Sequence, residues 1–297
     1  MEKTLAKKQF DVLCAFLGGN NYTQRELCEK TELSLGTVNR IVKDLNDLGY
    51  LADGAITEAG MSALEPYRVK RAVFVAAGFG SRLVPVTLNT PKPLVRVKGT
   101  RIIDTLIDAV LAAGIEEIYI VRGYLAEQFD QLLYKYPMLH FIENPSYNEA
   151  NNISSVMYAR ELLADSYVLE ADLLLSNPQL IKPYQYSSNF LGIPVKKTDD
   201  WCFTVKGNVI AEQIVGGVEC YQEVGISYWS REDGMRLAED VKTAYEMPGG
   251  KELYWDQVPF VKCKGKYKVE IRPCKSEDVT EIDTFRELKK IDSSYDV

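Results

Sequence analysis

A chain of 297 residues, 46% hydrophobic and 26% charged, is long enough for two domains and too ordinary in composition for a disordered or fibrous protein. Its net charge of −7 argues against a protein whose main business is nonspecific adhesion to nucleic acid or anionic lipid, although a local basic patch fits within it. Six cysteines, at positions 14, 28, 202, 220, 263 and 274, form no Cys-x-x-Cys pair and have no histidine cluster beside them, so reduced structural thiols are expected and a zinc site is not.

Met1 to Lys8 lacks the apolar segment of a secretion signal, and no later apolar run approaches a membrane span. The expectation is a cytoplasmic protein with no membrane insertion. Phe10, Leu13, Phe16 and Leu17 recur at helical spacing over residues 8–17, and Tyr22 to Leu27 opens a second helix with Thr23 as N-cap and Glu26 at the capping-box position. After Thr31-Glu32-Leu33-Ser34 a third helix carries Val38, Ile41, Val42, Leu45 and Leu48 in one apolar stripe, and a hairpin over residues 52–57 follows. This is helix-turn-helix order with a wing, and the segment resembles bacterial winged-helix domains.

Two partner readings are open for it. DNA contact would run through Asn39, Arg40 and Lys43 on the third helix, but residues 1–70 hold nine Lys or Arg against ten Asp or Glu, without the positive excess that displaces counterions. The other reading is a module for homodimerisation or for contact with another protein. A helix over Thr57 to Leu64, punctuated by Glu65-Pro66-Tyr67-Arg68, completes a first domain at residues 1–68, leaving 69–297 for the second.

From Arg71 onward strands and helices alternate, which predicts a parallel sheet covered on both faces. The strand at 71–76 runs into Ala76-Ala77-Gly78-Phe79-Gly80-Ser81-Arg82, and Pro91-Lys92-Pro93 follows. Glycines at that spacing let a ligand approach the backbone, and Arg82 and Lys92 are the first cations after them, a combination suited to a polyphosphate. A helix over 102–113, a strand at Ile118 to Val121, a helix from Gly123 to Leu133 and a strand at Leu139 to Ile142 come next. His140, the sole histidine, is given a structural role. Asn148, Asn151, Asn152, Ser154 and Ser155 then make a dense donor and acceptor cluster at a helix start, which can cap the helix with no ligand at all.

The strand Tyr167 to Asp172 ends in Glu170 and Asp172, at i and i+2 on one side of the pleat. Acidic groups at the carboxyl end of a parallel strand repel a triphosphate unless a cation sits between them, and Mg²⁺ prefers such oxygen ligands; the plainer reading has Asp172 capping a turn. Beyond residue 188 the expected strands are Asn189 to Val195, Trp201 to Val205, Val209 to Val215 and Gly225 to Trp229, with a helix at 231–245. Trp201, Trp229 and Trp255 lie in this half with Tyr221, Tyr228 and Tyr254. Such residues are core in the simple reading and, as a set, a cage for a quaternary ammonium in the other. Glu281 and Asp283 alternate on one face after the strand Val269 to Arg272, and Asp283 is placed to cap a helix beginning at Phe285.

The string Gly78-x-Gly80-x-Arg82 with Pro91-Lys92-Pro93 resembles the Mg-dependent nucleotidyltransferases, and Leu253-Tyr254-Trp255-Asp256 with Glu281-Ile282-Asp283 resembles the bacterial CTP:phosphocholine cytidylyltransferases among them. The likeness runs from about Arg71 to the C-terminus. It implies an α/β, Rossmann-like nucleotidyltransferase domain with a mixed, mainly parallel sheet, preceded here by the small winged-helix domain. It also implies transfer of CMP from CTP to phosphocholine. In that reading Arg82, Lys92, Asp172 and Asp283 are catalytic, with Mg²⁺ on Asp172 and Asp283. Ala76, Ala77, Gly78, Gly80, Ser81, Asn152 and Ser154 bind the nucleotide, while Trp201, Tyr254, Trp255, Asp256 and Glu281 bind the acceptor, helped by Lys196 or Lys197. The same chemistry on 2-aminoethylphosphonate or a sugar 1-phosphate is an alternative, as is a transcriptional regulator whose second domain senses a metabolite.

Overall fold

The computed structural model describes residues 4–18 and 22–296. By their internal contacts they fall into two units, Met1–Arg68 with Tyr184–Tyr186, and Val69–Pro183 with Ser187–Val297. Among the described residues no helix is long and apolar enough to cross a membrane.

The first unit contains α1 (Lys7–Ala15), α2 (Gln24–Thr31), α3 (Leu35–Asp47), the hairpin of β1 (Leu51–Ala52) with β2 (Ala55–Ile56), and α4 (Glu58–Leu64). Thr23 Oγ1 accepts the Glu26 N–H while the Glu26 carboxylate accepts the Thr23 N–H at 2.7 Å, a reciprocal cap that fixes where α2 begins. Phe10, Leu13, Leu27, Val38, Ile41 and Leu45 converge in one core. Leu48, assigned to that stripe by its spacing, is instead the exposed C-cap residue of α3. Asn39, Arg40 and Lys43 are exposed on α3. Tyr186 stacks on Tyr67 with ring centroids 5.4 Å apart, so this unit is completed by a segment remote in sequence that no local pattern announces.

In the second unit β3 (Arg71–Val75) leads through a long loop to the short hairpin β4 (Arg96–Val97) and β5 (Thr100–Arg101), then α5 (Ile102–Ala112), β6 (Glu117–Arg122), β7 (Leu139–Glu143), α6 (Ile153–Tyr158), β8 (Ser166–Glu170) and β9 (Leu173–Leu175). Two long strands, β10 (Asn189–Lys206) and β11 (Val209–Trp229), are followed by α7 (Arg231–Glu246), β12 (Glu270–Pro273), β13 (Val279–Glu281) and α8 (Phe285–Ile291). The seven-stranded sheet has the order β10, β12, β11, β8, β3, β6, β7; the pairs joining β8, β3, β6 and β7 are parallel, and β11 joins β8 antiparallel. Ile103, Leu106, Ile107 and Val110 of α5 pack with Phe74, Ile120 and Leu169, while Leu237 and Val241 of α7 pack with Val168, Phe190, Trp229 and Trp255 in a separate core.

From β3 the chain lays down β6 and β7 on one side and only then returns to place β8 on the other. Loops leaving β3 and β8 therefore diverge, and a crevice opens outside their carboxyl ends, where the register sets Val75 opposite Glu170.

Three expectations need correction here. The four strands expected beyond residue 188 are arms of β10 and β11, whose pairing register shifts between Thr198 and Trp201, so that residues 202 and 203 pair with two segments of β11. The helix expected from Gly123 is a 3₁₀ helix over Ala126–Tyr134, because Leu125 takes a left-handed conformation, φ 48°, and interrupts any helix entering from Gly123. The strand through Glu170 stops there, and Asp172 lies in the turn before β9.

Candidate functional site

A cavity of about 490 Å³ occupies the crevice. Its floor is the carboxyl end of β3, where Val75 and Ala76 give way to Gly78, Gly80, Ser81 and Arg82. Gly80 is left-handed, φ 60°, and a Cβ there would come within 2.9 Å of Lys92 Cβ and 3.1 Å of Thr87 Cγ2. Its carbonyl accepts from the Thr87 hydroxyl at 2.8 Å and from the Leu83 N–H at 2.9 Å, which fixes the loop. Gly80→Ala combines a left-handed L-residue, costing roughly 1–2 kcal/mol, with a shove on the Lys92 stem. It is expected to lower the melting temperature modestly and kcat by far more, read by thermal melts beside initial rates.

Lys92 is the buried cation of the site, 7% exposed. Its ammonium donates to Asp172 Oδ2 at 2.7 Å and to Asp283 Oδ1 at 3.0 Å, and Arg82, largely exposed, reaches the same Asp283 oxygen at 2.8 Å. Burial alone would lower the Lys92 ammonium; Asp172 and then Asp283 outweigh it, and the group is held above its ordinary value. For Asp283 burial acts upward, but Lys92 and then Arg82 overcome it and hold the carboxyl below its usual range.

Asp283 does not cap α8. Thr284 Oγ1 accepts the Glu287 N–H, and the Glu287 carboxylate accepts both the Thr284 and the Asp283 N–H, so the Asp283 side chain is left free to face the cavity. Asp172, Glu281 and Asp283 bring one carboxylate oxygen each to within 4.8 Å of one another. Asp172 Oδ1 is buried without a hydrogen-bond partner among the described residues. An orphaned anionic oxygen beside two more carboxylates is a donor set that fits a hard divalent cation.

The opposite wall carries Asn151, Asn152, Glu170, Asp200, Trp201, Glu223, Gly225, Tyr254 and Asp256. Gly225 is there because a Cβ would strike Glu170 Oε2 at 2.5 Å. Burial first, then Asp172, Asp256 and Glu281, push the Glu170 carboxyl well above its usual range. Gln213 Nε2 donates to Glu223 Oε2 at 2.8 Å and to Asp256 Oδ2 at 2.5 Å, tying two carboxylates from distant parts of the chain into one pair. Trp201 and Tyr254 meet edge to face with centroids 5.8 Å apart.

Matches to family models bear on this geometry. Residues 71–190 match the nucleotidyl transferase model and residues 5–52 a winged helix-turn-helix DNA-binding model. Over 228 residues the chain is 37% identical to the 2-aminoethylphosphonate cytidylyltransferase of Lancefieldella rimae, which spans 75% of this chain and 92% of that protein. It belongs to the cytidylyltransferases of the nucleotidyl transferase family. The choline-phosphate cytidylyltransferase of Streptococcus pneumoniae is 31% identical over 228 residues, 75% of this chain and 96% of that one. The solved structure of the CTP:phosphocholine cytidylyltransferase from the same organism superposes with a TM-score of 0.70 at 29% identity, covering 76% of this chain and 99% of the other.

In this cytidylyltransferase the cavity gathers most of the residues picked from the sequence, namely Ala76, Gly78, Gly80, Ser81, Arg82 and Lys92 from the first half and Asn152, Asp172, Trp201, Tyr254, Asp256, Glu281 and Asp283 from the rest. Five picks fall elsewhere. Ala77 is buried behind the loop. The Ser154 hydroxyl is buried, donating to Asn151 O and accepting from Asn144, which makes it a brace for the start of α6. Trp255 is packed against Phe190 and Trp229 in the core, so the expected aromatic set shrinks to two rings at the cavity. Lys196 and Lys197 are exposed on β10 and line no part of it. His140 is exposed, its ring stacked on Tyr119 at 5.1 Å. Glu223, Gln213 and Asp200 were missed, because β11 mixes polar residues such as Glu212, Glu219 and Gln222 among its apolar ones and no period-2 pattern marks Glu223 as inward.

Glu281 gives the site a pH signature. Although Glu281 as a residue is exposed, desolvation of its carboxyl in the cleft, then Asp172 and Asp283, push that group up to about 8. A group whose folded value lies above its unfolded one holds a proton in the native state that the unfolded chain has released, so its contribution is present at low pH and lost as pH rises through 8. With chelator present the melting temperature is expected to fall between pH 6 and pH 8, and Glu281→Gln to flatten that fall, as thermal melts across the range would show.

Proposed function

We infer that this chain transfers CMP from CTP to 2-aminoethylphosphonate and releases pyrophosphate. The observation that carries the acceptor assignment is the wall built by Glu223, Asp256 and Asp200 with only Trp201 and Tyr254 as rings. A primary ammonium brings three N–H donors, which match carboxylates, whereas a trimethylated one brings none and needs ring faces on several sides. The Lancefieldella relative, whose name states this acceptor, supports the same choice over phosphocholine.

The phosphonate oxygen attacks the α-phosphorus, the new P–O bond forms as the bond to the bridging oxygen breaks, and pyrophosphate departs. The attacking oxygen is already anionic, so no general base is required and the protein's task is positioning and charge neutralisation. The loop from Gly78 to Ser81 offers backbone N–H groups to the nucleotide, the Ala76 N–H being already given to Val121 O. Arg82, exposed at the cavity mouth, receives the departing phosphates, and Lys92 lies against the reacting ones. Asp172, Asp283 and Glu281 would hold Mg²⁺, which when bound supplies positive charge against the phosphate oxygens.

The test is pyrophosphate release from each nucleoside triphosphate with 2-aminoethylphosphonate, phosphocholine and hexose 1-phosphates. CTP with 2-aminoethylphosphonate is expected to give the highest kcat/KM. A higher value with phosphocholine would move the assignment to that acceptor.

We also infer that the winged-helix unit contacts DNA through α3, supported by the exposure of Asn39, Arg40 and Lys43 and by the DNA-binding family model over residues 5–52. Duplex binding by the full chain at low salt should vanish on replacing Arg40 and Lys43 with Ala; binding that survives the double change would place the contact elsewhere.

A further inference from the structure

The cleft already contains a cation, and it is a side chain. Lys92 Nζ bridges Asp172 Oδ2 and Asp283 Oδ1, at 2.7 and 3.0 Å, whereas Arg82 reaches Asp283 alone. A Mg²⁺ ion held by the same two carboxylates needs its oxygens at about 2.0–2.1 Å around one point. The ammonium holds Asp283 Oδ1 and the second oxygen of Asp172, so an ion on Asp172 Oδ1 and Asp283 would lie beside it, and two cations so close in a partly dry cleft repel strongly. Full occupation by one requires the other to withdraw.

Lys92 cannot withdraw freely. It lies between Pro91 and Pro93 in a 3₁₀ turn, Lys92–Leu94, with its stem against the bare face of Gly80. Being buried, it will leave a carboxylate only for another anion within reach, and the phosphates of a nucleotide seated on the Gly78–Gly80 loop are such an anion.

We propose that Lys92 and the divalent cation exchange places on the Asp172–Asp283 pair, so that the ammonium closes the cation site until nucleotide phosphates draw it off. Binding of cation and nucleotide is then coupled through one lysine. The idea rests on the nucleotidyl-transfer reading but not on the identity of the acceptor.

The experiment is Mn²⁺ binding to the full chain, followed by the loss of the free-ion electron paramagnetic resonance signal, with and without a non-hydrolysable CTP analogue. Without nucleotide, Lys92→Met is expected to bind Mn²⁺ about tenfold or more tightly than the parent, and the analogue to tighten the parent by a similar factor while scarcely changing the variant. Arg82→Met removes the same charge beside Asp283 without opening the bridge, and should shift affinity far less. Lys92→Gln, which keeps a hydrogen-bond donor toward the carboxylates, serves if the methionine variant does not fold, with the same expectation. Equal tightening by Arg82→Met would make the effect one of net charge and overturn the proposal. So would parent protein that binds Mn²⁺ as tightly without nucleotide as Lys92→Met does, although cytidylyl transfer would stand. No Mn²⁺ binding in any protein, even with the analogue, would overturn the proposal and the metal assignment together.

Discussion

Asp172→Asn is expected to lower kcat by about 10²–10³-fold, roughly 2.7–4 kcal/mol of transition-state stabilisation, with little change in melting temperature. The asymmetry follows from how the residue is held. Asp172 lies in the turn after β8, where its neighbour Ala171 donates its N–H to Val75 O. The carboxylate plays no part in that framework. It faces the cavity, with one oxygen on Lys92 and the other without a partner among the described residues. The isosteric amide keeps the shape and loses the charge, while Lys92 retains Asp283. Glu170 and Glu281 each lose a like-charged neighbour, which offsets what Lys92 loses. Single-turnover rates at saturating nucleotide, beside thermal melts, check both halves, and a variant within tenfold of the parent rate would remove Asp172 from the chemistry.

Glu223→Gln has the second large expected effect, and it is selective. Losing a charge-assisted hydrogen bond to an ammonium costs about 1.5–3 kcal/mol, or roughly 10–150-fold in kcat/KM for 2-aminoethylphosphonate. Phosphocholine, with no N–H to donate, should lose much less, so the ratio of the two acceptors moves toward choline. Burial and then Asp256 push the Glu223 carboxyl well above its usual range, so without an ammonium beside it the group favours its protonated form. Acceptor binding should therefore strengthen in the parent as pH rises through the range where Glu223 ionises, and lose that trend in Glu223→Gln. Equal losses with both acceptors would show that Glu223 shapes the pocket without reading the amine.

Local chemistry made much of this legible. Glycines beside a strand, two cations and carboxylates at strand ends are read from neighbours in sequence, and the Thr23 cap is a four-residue signal. What escaped depends on register or burial. Glu223 and Gln213 lie ten residues apart and meet, with Asp256 that the resemblance did pick out, only because two segments of β11 pair with the same residues 202 and 203 of β10. Trp201 and Trp255 are the same residue type in the same half of the chain, yet one lines the cavity and the other fills the core. Asp283 looked like a cap because it precedes a helix by two residues, but Thr284 stands one position nearer and takes the role. Ser154 carries a hydroxyl at a helix start, and only its burial shows that Asn144 and Asn151 already use it.

The central claim, cytidylyl transfer to a primary-amine phosphonate, is met most directly by competition. The full chain is supplied with CTP, Mg²⁺ and equimolar 2-aminoethylphosphonate and phosphocholine, and both cytidylylated products are quantified by mass spectrometry at low conversion. The 2-aminoethylphosphonate product is expected to predominate by about tenfold or more, the ratio of the two kcat/KM values. Predominance of CDP-choline would contradict the reading of the carboxylate wall.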